Sequence, residues 1–265
     1  MDARDRLTVA DMLASRGKTQ HVNVYVETVE EAEAAVAAGV TMVTAGAAYM
    51  NSAFRAAAPR AFINSGYGFG VLATADDYLR DALRLLNEGA DSYYCVGGLR
   101  TIEYLASEGV PVVSHVGLIP SKRTWTGGWK AVGKTAESAL AVWKRVRQLE
   151  DAGAFAAEIE VVPEPVASAI ARRTSLFLIS MGSGAGCHAQ YLFSQDILGY
   201  NTEHVPRHAK QYRNFLAENA RLQKEREDAF RELVTDVNSG AYPAPEHMVG
   251  IESSELDSFL AALGD

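Results

Sequence analysis

The chain has 265 residues, of which 48% are hydrophobic and 22% charged, as expected for a soluble globular protein. Its formal net charge of −8 argues against a nucleic-acid-binding surface. No apolar run approaches the roughly 20 residues needed to cross a bilayer, so no membrane association is expected. The segment from Met1 to Arg6 is rich in charged residues and lacks the apolar core of a signal peptide, which favours a cytoplasmic protein.

The two cysteines, Cys95 and Cys187, lie far apart and form no C-x-x-C pair. This spacing indicates neither a disulfide framework nor a zinc site. Free cysteines are often fully buried, so both are expected to pack as small hydrophobic side chains.

Apolar segments alternate with amphipathic ones along most of the chain. The predicted strands are 22–26, 40–44, 61–63, 92–96, 110–116, 155–162 and 176–180. The predicted helices are 7–13, 30–38, 75–88, 99–107, 136–151 and a short one that opens near Pro165 and ends at Ala171. Thr28 and Thr74 precede two of these helices as N-caps. The alternation predicts βαβ units and a parallel sheet.

About seven or eight such units in a chain of this length favour the α/β class and a closed (β/α)₈ TIM barrel. A doubly wound sheet is the alternative, but Cys187 occupies the place of the third glycine in the fingerprint that starts at Gly182. Residues 207–237 are polar and predicted to be helical. We therefore expect one barrel domain over residues 1–265, with a helical C-terminal extension from about residue 205.

The predicted strand 155–162 carries two carboxylates in an apolar run, and Pro163 ends it. Alternate residues of a strand share a face, so Glu158 and Glu160 point the same way. A charge in a buried strand is costly unless it is paired or used in catalysis. Glu160, at the exit of the strand, is therefore a candidate catalytic residue.

Several motifs resemble those of ketopantoate hydroxymethyltransferase (3-methyl-2-oxobutanoate hydroxymethyltransferase). They begin with Val112-Val113-Ser114-His115-Val116-Gly117-Leu118-Ile119-Pro120, similar to P-V-x-G-H-L-G-L-T-P. The others are Gly127-Gly128-Trp129-Lys130-Ala131-Val132-Gly133, Ile159-Glu160-Val161-Val162-Pro163, Gly182-Ser183-Gly184-Ala185-Gly186, Asp196-Ile197-Leu198-Gly199, His204-Val205-Pro206-Arg207-His208-Ala209-Lys210 and Ser239-Gly240-Ala241-Tyr242-Pro243. Their order and spacing match the family over nearly the whole chain.

The resemblance implies a barrel of the phosphoenolpyruvate mutase and isocitrate lyase type, in a homo-oligomer for which a decameric ring is one arrangement. It implies a small-molecule substrate, a 2-oxo acid held by Mg²⁺, and methylenetetrahydrofolate as the one-carbon donor. The family's catalytic glutamate matches Glu160, and its histidine matches His115. Both are the expected catalytic residues.

The expected binding residues include departures from the family pattern. Its two metal aspartates align with Ala47 and Gly66, a metal-associated glutamate aligns with Val96, and its substrate lysine aligns with Tyr94. Because Mg²⁺ requires oxygen ligands, we expect no family-type metal site. The candidate substrate-binding residues are Tyr94, Ser65, Tyr25 and Gly46.

Structural roles compete with these assignments. His115 could be a structural histidine, Tyr94 a packed aromatic residue, and Glu160 an ion-pair partner of Lys130. A nucleophilic dyad of Cys187 and His188 is disfavoured, because adjacent residues on a helix do not face each other.

The sequence favours a hydroxymethyltransferase-like enzyme that performs carbon–carbon chemistry next to a carbonyl in a specialised pathway. One alternative is a metal-free lyase, hydrolase or isomerase with a bulkier substrate. Another is a catalytically silent barrel subunit.

Overall fold

The computed structural model describes residues 6–264 of the chain. Its strands are β1 (His21–Tyr25), β2 (Met42–Gly46), β3 (Phe62–Gly66), β4 (Ser92–Tyr94), β5 (Val112–Gly117), β6 (Ala156–Glu160), β7 (Phe177–Met181) and β8 (Ala189–Phe193). Its α-helices are α1 (Val9–Ser15), α2 (Val29–Ala37), α3 (Ser52–Ala57), α4 (Ala75–Asn87), α5 (Leu99–Ser107), α6 (Arg123–Thr126), α7 (Ala136–Asp151), α8 (Glu164–Ala171), α9 (Ser194–Leu198), α10 (Phe215–Ser239) and α11 (Ser253–Leu263). Short 3₁₀ turns occupy Pro120–Lys122 and Pro245–His247.

The eight strands form a closed parallel barrel, in which each strand pairs with the next and β8 pairs with β1. The predicted fold class is therefore confirmed. Because all strands run the same way, their carboxyl ends meet at one rim, which is where barrel enzymes place their active sites.

The alternation of strand residues decides which side chains face the barrel interior. In β6, Ala157 and Ile159 belong to the apolar layer between strands and helices. Glu158 and Glu160 therefore face inward. The register of β5 and β6 pairs His115 with Glu158 directly, so these side chains are neighbours on the inner face.

The barrel has two apolar layers. The outer layer, beneath the helices, includes Ile63, Tyr93 and Leu105. The inner layer includes Phe62 and Phe177. Burial of such side chains supplies the main stabilisation, at about 1.5–3 kcal/mol for each large one. Polar residues higher in the barrel are thus held by a rigid apolar base.

The local signals for helix starts are confirmed at two places. The side chains of Thr28 and Thr74 accept hydrogen bonds from the N–H groups of Glu31 and Asp77, as N-caps do.

The structure differs from the sequence prediction at two places. Strand β8 was not predicted, and Cys187 and His188 lead into it instead of opening a helix. Residues 207–237 were predicted to be helical throughout, but α10 begins only at Phe215.

The chain forms two compact units that divide between Arg213 and Asn214. The first contains the barrel, and the second contains α10 and α11. The predicted single domain with an extension stays a prediction. The charged N-terminal segment lies, apart from Arg6, outside the described residues, and so does Asp265. No helix within residues 6–264 could span a bilayer.

Candidate active site

A cavity of about 490 Å³ opens at the carboxyl ends of the strands. Side chains from β1, β4, β5, β6 and β8 reach it, and so do residues of the segment 195–208. The predicted residues that line it are Tyr25, Gly46, Tyr94, His115 and Glu160. The structure therefore brings five of the six predicted site residues together.

His115 lies between two carboxylates at the base of this cavity. Its Nδ1 atom is 3.3 Å from Oε2 of Glu158, and its Nε2 atom is 3.1 Å from Oε2 of Glu160. All three side chains are more than nine-tenths buried. The second contact is close but not aligned as a hydrogen bond, so Nε2 of His115 and Oε2 of Glu160 both lack a hydrogen-bond partner among the described residues.

The two carboxylates control the charge of the imidazole. Burial by itself lowers the pKa of His115, but the close carboxylates of Glu158 and Glu160 outweigh it and raise that pKa to about 9. His115 is therefore an imidazolium near neutral pH. Burial raises the pKa of Glu158, and His115 partly offsets this effect.

Tyr94 completes the arrangement on the Nδ1 side. Its hydroxyl oxygen is 2.9 Å from Nδ1 of His115. The hydroxyl also hydrogen-bonds Glu158, and this bond favours the charged carboxylate. Burial raises the pKa of Tyr94 well above its ordinary value, so the phenol keeps its proton. The protonated His115 can donate to the Tyr94 oxygen, while the phenol donates to Glu158.

A strained backbone positions Glu160. Val161, the next residue, has a φ of +49°, which is costly for a β-branched side chain. Ser183 stabilises this bend, since its hydroxyl donates to the carbonyl of Ile159 at 2.9 Å and accepts from the N–H of Val162 at 3.0 Å. Strain that is held in place next to an unpartnered carboxylate is typical of a functional site.

Two other predicted residues, Tyr25 and Gly46, meet at the rim. A Cβ atom on Gly46 would lie 3.1 Å from the Tyr25 hydroxyl, so the glycine keeps space for that phenol. Burial raises the pKa of Tyr25 to about 12, and the phenol remains protonated.

Ser65 is the predicted residue that the structure does not bring to the cavity. It is fully buried, and it pairs with Ala45 and Tyr93, which belong to the outer apolar layer. Its inward neighbour Gly66 lines the cavity instead. The side chain of Ser65 therefore points away from the site.

Sequence reasoning missed part of the wall. It weighed Glu158 by strand parity but did not select it. It also missed His208 and Asp196. The charges of Glu160 and Asp196 raise the pKa of His208 against the effect of burial, so both carboxylates lie near this imidazole. Tyr191 was missed because β8 was not predicted. No local sequence pattern in the segment 195–208 indicates that its residues line the cavity.

The structure also addresses the competing assignments. Among the described residues, the ion-pair contact of Glu160 is with His115, and no contact with Lys130 is present. Cys187 is buried, which raises the pKa of its thiol to about 12, and it is not part of the cavity wall. Nδ1 of His188 accepts the N–H of Leu178, so this imidazole is occupied within the barrel.

The donor set does not fit the Mg²⁺ ion that the resemblance implies. The aligned positions hold Ala47, Gly66 and Val96, none of which offers a side-chain oxygen. A Cβ at Gly66 would overlap the carbonyl oxygen of Tyr94, so no side chain can enter there without a backbone shift. Within residues 6–264 no cluster of three or more acidic, histidine or cysteine side chains is arranged to hold a metal.

Comparisons with known proteins agree with the motifs. Residues 37–245 match the family model described as ketopantoate hydroxymethyltransferase. The 3-methyl-2-oxobutanoate hydroxymethyltransferase 1 of Methylibium petroleiphilum is 32% identical over 212 residues, which cover 78% of this chain and 70% of that protein. The 3-methyl-2-oxobutanoate hydroxymethyltransferase of Kosmotoga olearia is 30% identical over 275 residues, 95% of this chain and 100% of that protein.

Solved structures share the barrel at low sequence identity. One is 2,3-dimethylmalate lyase, a member of the PEP mutase/isocitrate lyase superfamily, with a TM-score of 0.54 at 13% identity over 73% of this chain and 83% of that one. Another is 3-dehydroquinate dehydratase from Geobacillus kaustophilus, with a TM-score of 0.52 at 13% identity over 86% of this chain and 94% of that one. At this level of identity the likeness concerns the fold alone.

Proposed function

Because the chain belongs to the ketopantoate hydroxymethyltransferase family, we propose that it forms a carbon–carbon bond next to a carbonyl group. In this proposal Glu160 removes a proton from the carbon beside the carbonyl. The enolate carbon then bonds to a one-carbon unit, as in hydroxymethyl transfer. Both bonds from that carbon to the folate nitrogens break, water supplies its hydroxyl group, and the protons from Glu160 and water pass to the two nitrogens of the leaving tetrahydrofolate. Methylenetetrahydrofolate, the donor that the resemblance implies, would supply that carbon.

The position of the Glu160 carboxylate carries the proposal. Glu160 lines the cavity, and its buried Oε2 atom lies 3.1 Å from Nε2 of His115 without an aligned hydrogen bond from any described residue. A general base must be free to accept a proton at the place where substrate binds. The strained Val161 and the bridging Ser183 hold the carboxylate in that place.

An enolate also needs a positive or hydrogen-bonding partner for its oxygen, which is worth several kcal/mol of barrier. We assign this role to His115, whose Nε2–H lacks an aligned acceptor and whose pKa of about 9 keeps it charged. Tyr94 and Glu158 hold the ring from its other side. The imidazolium thus takes the place of the divalent ion, and the proposed reaction is metal-free.

Deuterium exchange tests the base directly. The protein is incubated in D₂O with 3-methyl-2-oxobutanoate and with 4-phenylbutan-2-one, and loss of the proton signal beside the carbonyl is followed by NMR. We expect Glu160→Gln to lower the enzymatic exchange rate at least a hundredfold, since a positioned base contributes about 10²–10⁴. Glu137→Gln, an exposed change on α7, is the matched control and should leave the rate unchanged. Equal rates for wild type and Glu160→Gln would remove Glu160 from the mechanism.

The aromatic wall favours a second candidate. The ring centroid of Phe193 lies 4.9 Å from that of Tyr25 and 5.5 Å from that of Tyr191, and all three rings line the cavity. This surface suits a lyase, hydrolase or isomerase with a bulky aromatic substrate. A one-carbon donor distinguishes the two, because only hydroxymethyl transfer consumes it together with the carbonyl compound. If neither compound binds or reacts, a silent subunit is the remaining interpretation.

Assembly and location follow from the resemblance alone. A cytoplasmic homo-oligomer, with a decameric ring as one arrangement, is part of the proposal. Light scattering coupled to size exclusion would give the mass in solution, and a monomer at micromolar concentration would contradict the assembly.

A further inference from the structure

The wall of the cavity has an unusual charge balance for a site that is expected to bind an acid. Four carboxylates line it, whereas no lysine or arginine of the described chain does. The carboxylates are those of Glu158, Glu160, Asp196 and Glu203. Because the cavity is partly enclosed, these charges are screened less than on an open surface.

Three histidines, His115, His204 and His208, also line the cavity, and even if all three were charged they could not balance four carboxylates. His115 compensates for one of its two carboxylate neighbours. Burial lowers the pKa of His208, although Glu160 and Asp196 partly offset this effect, so His208 adds little charge near neutral pH. The base of the cavity therefore keeps a net negative charge.

The residue Tyr94 also argues against a substrate carboxylate. It aligns with the lysine that would hold a substrate carboxylate, and its buried phenol is already engaged with His115 and Glu158. A substrate carboxylate bound beside Tyr94 would lie near the carboxylates of Glu158 and Glu160. The single imidazolium of His115 would then have to balance three negative charges. Like charges at such distances oppose binding strongly in a buried site.

The incomplete hydrogen bonding of Glu160 is a further sign of a ligand. Glu160 lines the cavity and exposes only 6% of its surface, yet its Oε2 atom has only the unaligned contact with His115 at 3.1 Å and receives no hydrogen bond from the described residues. A buried, unsatisfied acceptor is costly in the free protein. It favours a ligand that presents hydrogen on an electron-poor atom, and it disfavours a second anion.

The aromatic side chains provide the other half of the recognition. Six of them line the cavity: Tyr25, Phe69, Tyr94, Trp129, Tyr191 and Phe193. Aromatic faces attract organic cations as well as apolar groups, and carboxylates next to such faces strengthen the attraction for a cation. Acidic and aromatic side chains together are the chemistry that recognises an amine.

We propose that the substrate of this site is a carbonyl compound that carries a protonated amine and an apolar or aromatic body, and that lacks a carboxylate. The ammonium group lies among the carboxylates, and the carbon between amine and carbonyl faces Glu160. This assignment rests on the proposed function for the role of Glu160, and it specifies the substrate class of the same site. The observations that carry it are the four carboxylates of the wall and the absence of lysine and arginine among the described residues that line it.

A series of three matched compounds tests the charge preference. They are 2-oxo-4-phenylbutanoate, 4-phenylbutan-2-one and 1-amino-4-phenylbutan-2-one, which share one body and carry a carboxylate, a methyl or an aminomethyl group beside the same carbonyl. Binding to the full-length protein is measured by isothermal titration calorimetry near pH 7, at low and at high salt. We expect the amine to bind at least tenfold more tightly than the carboxylate, with the neutral ketone between them, and the preference to shrink with salt.

Variants link the preference to the wall. Glu158→Gln should reduce the preference for the amine severalfold, whereas Glu137→Gln, on the outer helix, should not change it. A carboxylate that binds as tightly as the amine, or a neutral ketone that equals it, would overturn the proposal. Loss of the preference in the Glu137→Gln control would do so as well.

Exchange of the protons beside the carbonyl, recorded for the same three compounds, separates the two proposals. If the amine binds preferentially but no compound exchanges, the substrate class stands and the role of Glu160 fails. If the carboxylate binds best and exchanges through Glu160, the substrate class fails and the role of Glu160 stands.

Discussion

The pH dependence of stability follows from the position of His115 between two carboxylates. The pKa of its imidazole rises from an ordinary 6.5 to about 9 in the folded protein. The folded state therefore binds a proton that the unfolded state has released once the pH exceeds 6.5. The resulting stabilisation is fully present below about pH 6.5 and is lost as the pH rises through 9.

The size of the effect follows from the two pKa values. A raised pKa of this extent stabilises the fold by about 3 kcal/mol at pH 6.5 and by about 1 kcal/mol at pH 8.0. His115 is almost fully buried, so solvent screening does not reduce this figure substantially. We thus predict that the contribution of His115 to the free energy of unfolding falls by about 2 kcal/mol between these two pH values. Burial lowers the pKa of His21, His188 and His208, so their contributions rise with pH and partly oppose this fall.

Urea unfolding at constant protein concentration measures this difference. The window stops at pH 8.0 because burial raises the pKa of Cys95 to about 11 and of Cys187 to about 12, so thiol ionisation in the unfolded state lowers stability at higher pH. Burial also raises the pKa of Glu158, which acts in the same direction as His115. NMR titration of the ¹³C-labelled imidazole assigns the change to His115.

Glu158→Gln is the informative variant, because it removes one of the two carboxylates that raise the pKa of His115. We expect the imidazole of His115 to titrate at lower pH in this variant and the pH dependence of stability to decrease. An imidazole of His115 that titrates below pH 6.5 in the wild type, with no change in the pH dependence of stability in Glu158→Gln, would mean that His115 is neutral in the fold. The imidazolium could then not replace a metal ion in the proposed reaction.

Three further substitutions test how the site is built. Gly66→Ala should lower the free energy of unfolding in urea by about 2 kcal/mol, because the new Cβ overlaps the Tyr94 carbonyl. Gly68→Ala is the control, since a Cβ there meets open space and should change the free energy by less than about 0.5 kcal/mol. Equal effects of the two substitutions would contradict the packing argument. Ser183→Ala removes two buried hydrogen bonds, so we expect the free energy of unfolding to fall by about 1–3 kcal/mol. We also expect the rate of proton exchange beside the carbonyl to fall more than tenfold. An unchanged exchange rate would show that Ser183 does not position Glu160. Tyr94→Phe should slow exchange roughly tenfold without unfolding the protein at room temperature, as checked by circular dichroism, because only one hydroxyl is lost.

Much of the barrel could be predicted because its signals are local. Apolar runs end at glycines, and Thr28 and Thr74 mark helix starts that the structure reproduces. Strand β8 escaped prediction because the glycine-rich segment before it resembles the start of a helix. In the structure this segment runs directly from β7 to β8, so Cys187 and His188 precede a strand.

The site was predictable where strand geometry determines it. Glu160 is the last residue of β6, and His115 lies near the end of the neighbouring strand β5, so their proximity follows from a parallel barrel. Ser65 was expected to bind substrate because it begins the glycine-rich segment after a predicted strand. In the structure β3 continues to Gly66, and the alternation turns Ser65 outward. His208 lines the cavity because the irregular segment 195–208 returns to the rim of the barrel. No periodic sequence pattern predicts the path of such a segment.

The most direct test of the central claim is proton exchange catalysed by the protein after treatment with a chelator. Exchange beside the carbonyl of 1-amino-4-phenylbutan-2-one is followed by NMR in D₂O, with and without added Mg²⁺, for the wild type and for Glu160→Gln. We predict wild-type exchange at the same rate in both conditions and a loss of at least a hundredfold in the variant. Exchange that requires Mg²⁺, or that persists in Glu160→Gln at the wild-type rate, would contradict a metal-free site in which Glu160 is the base.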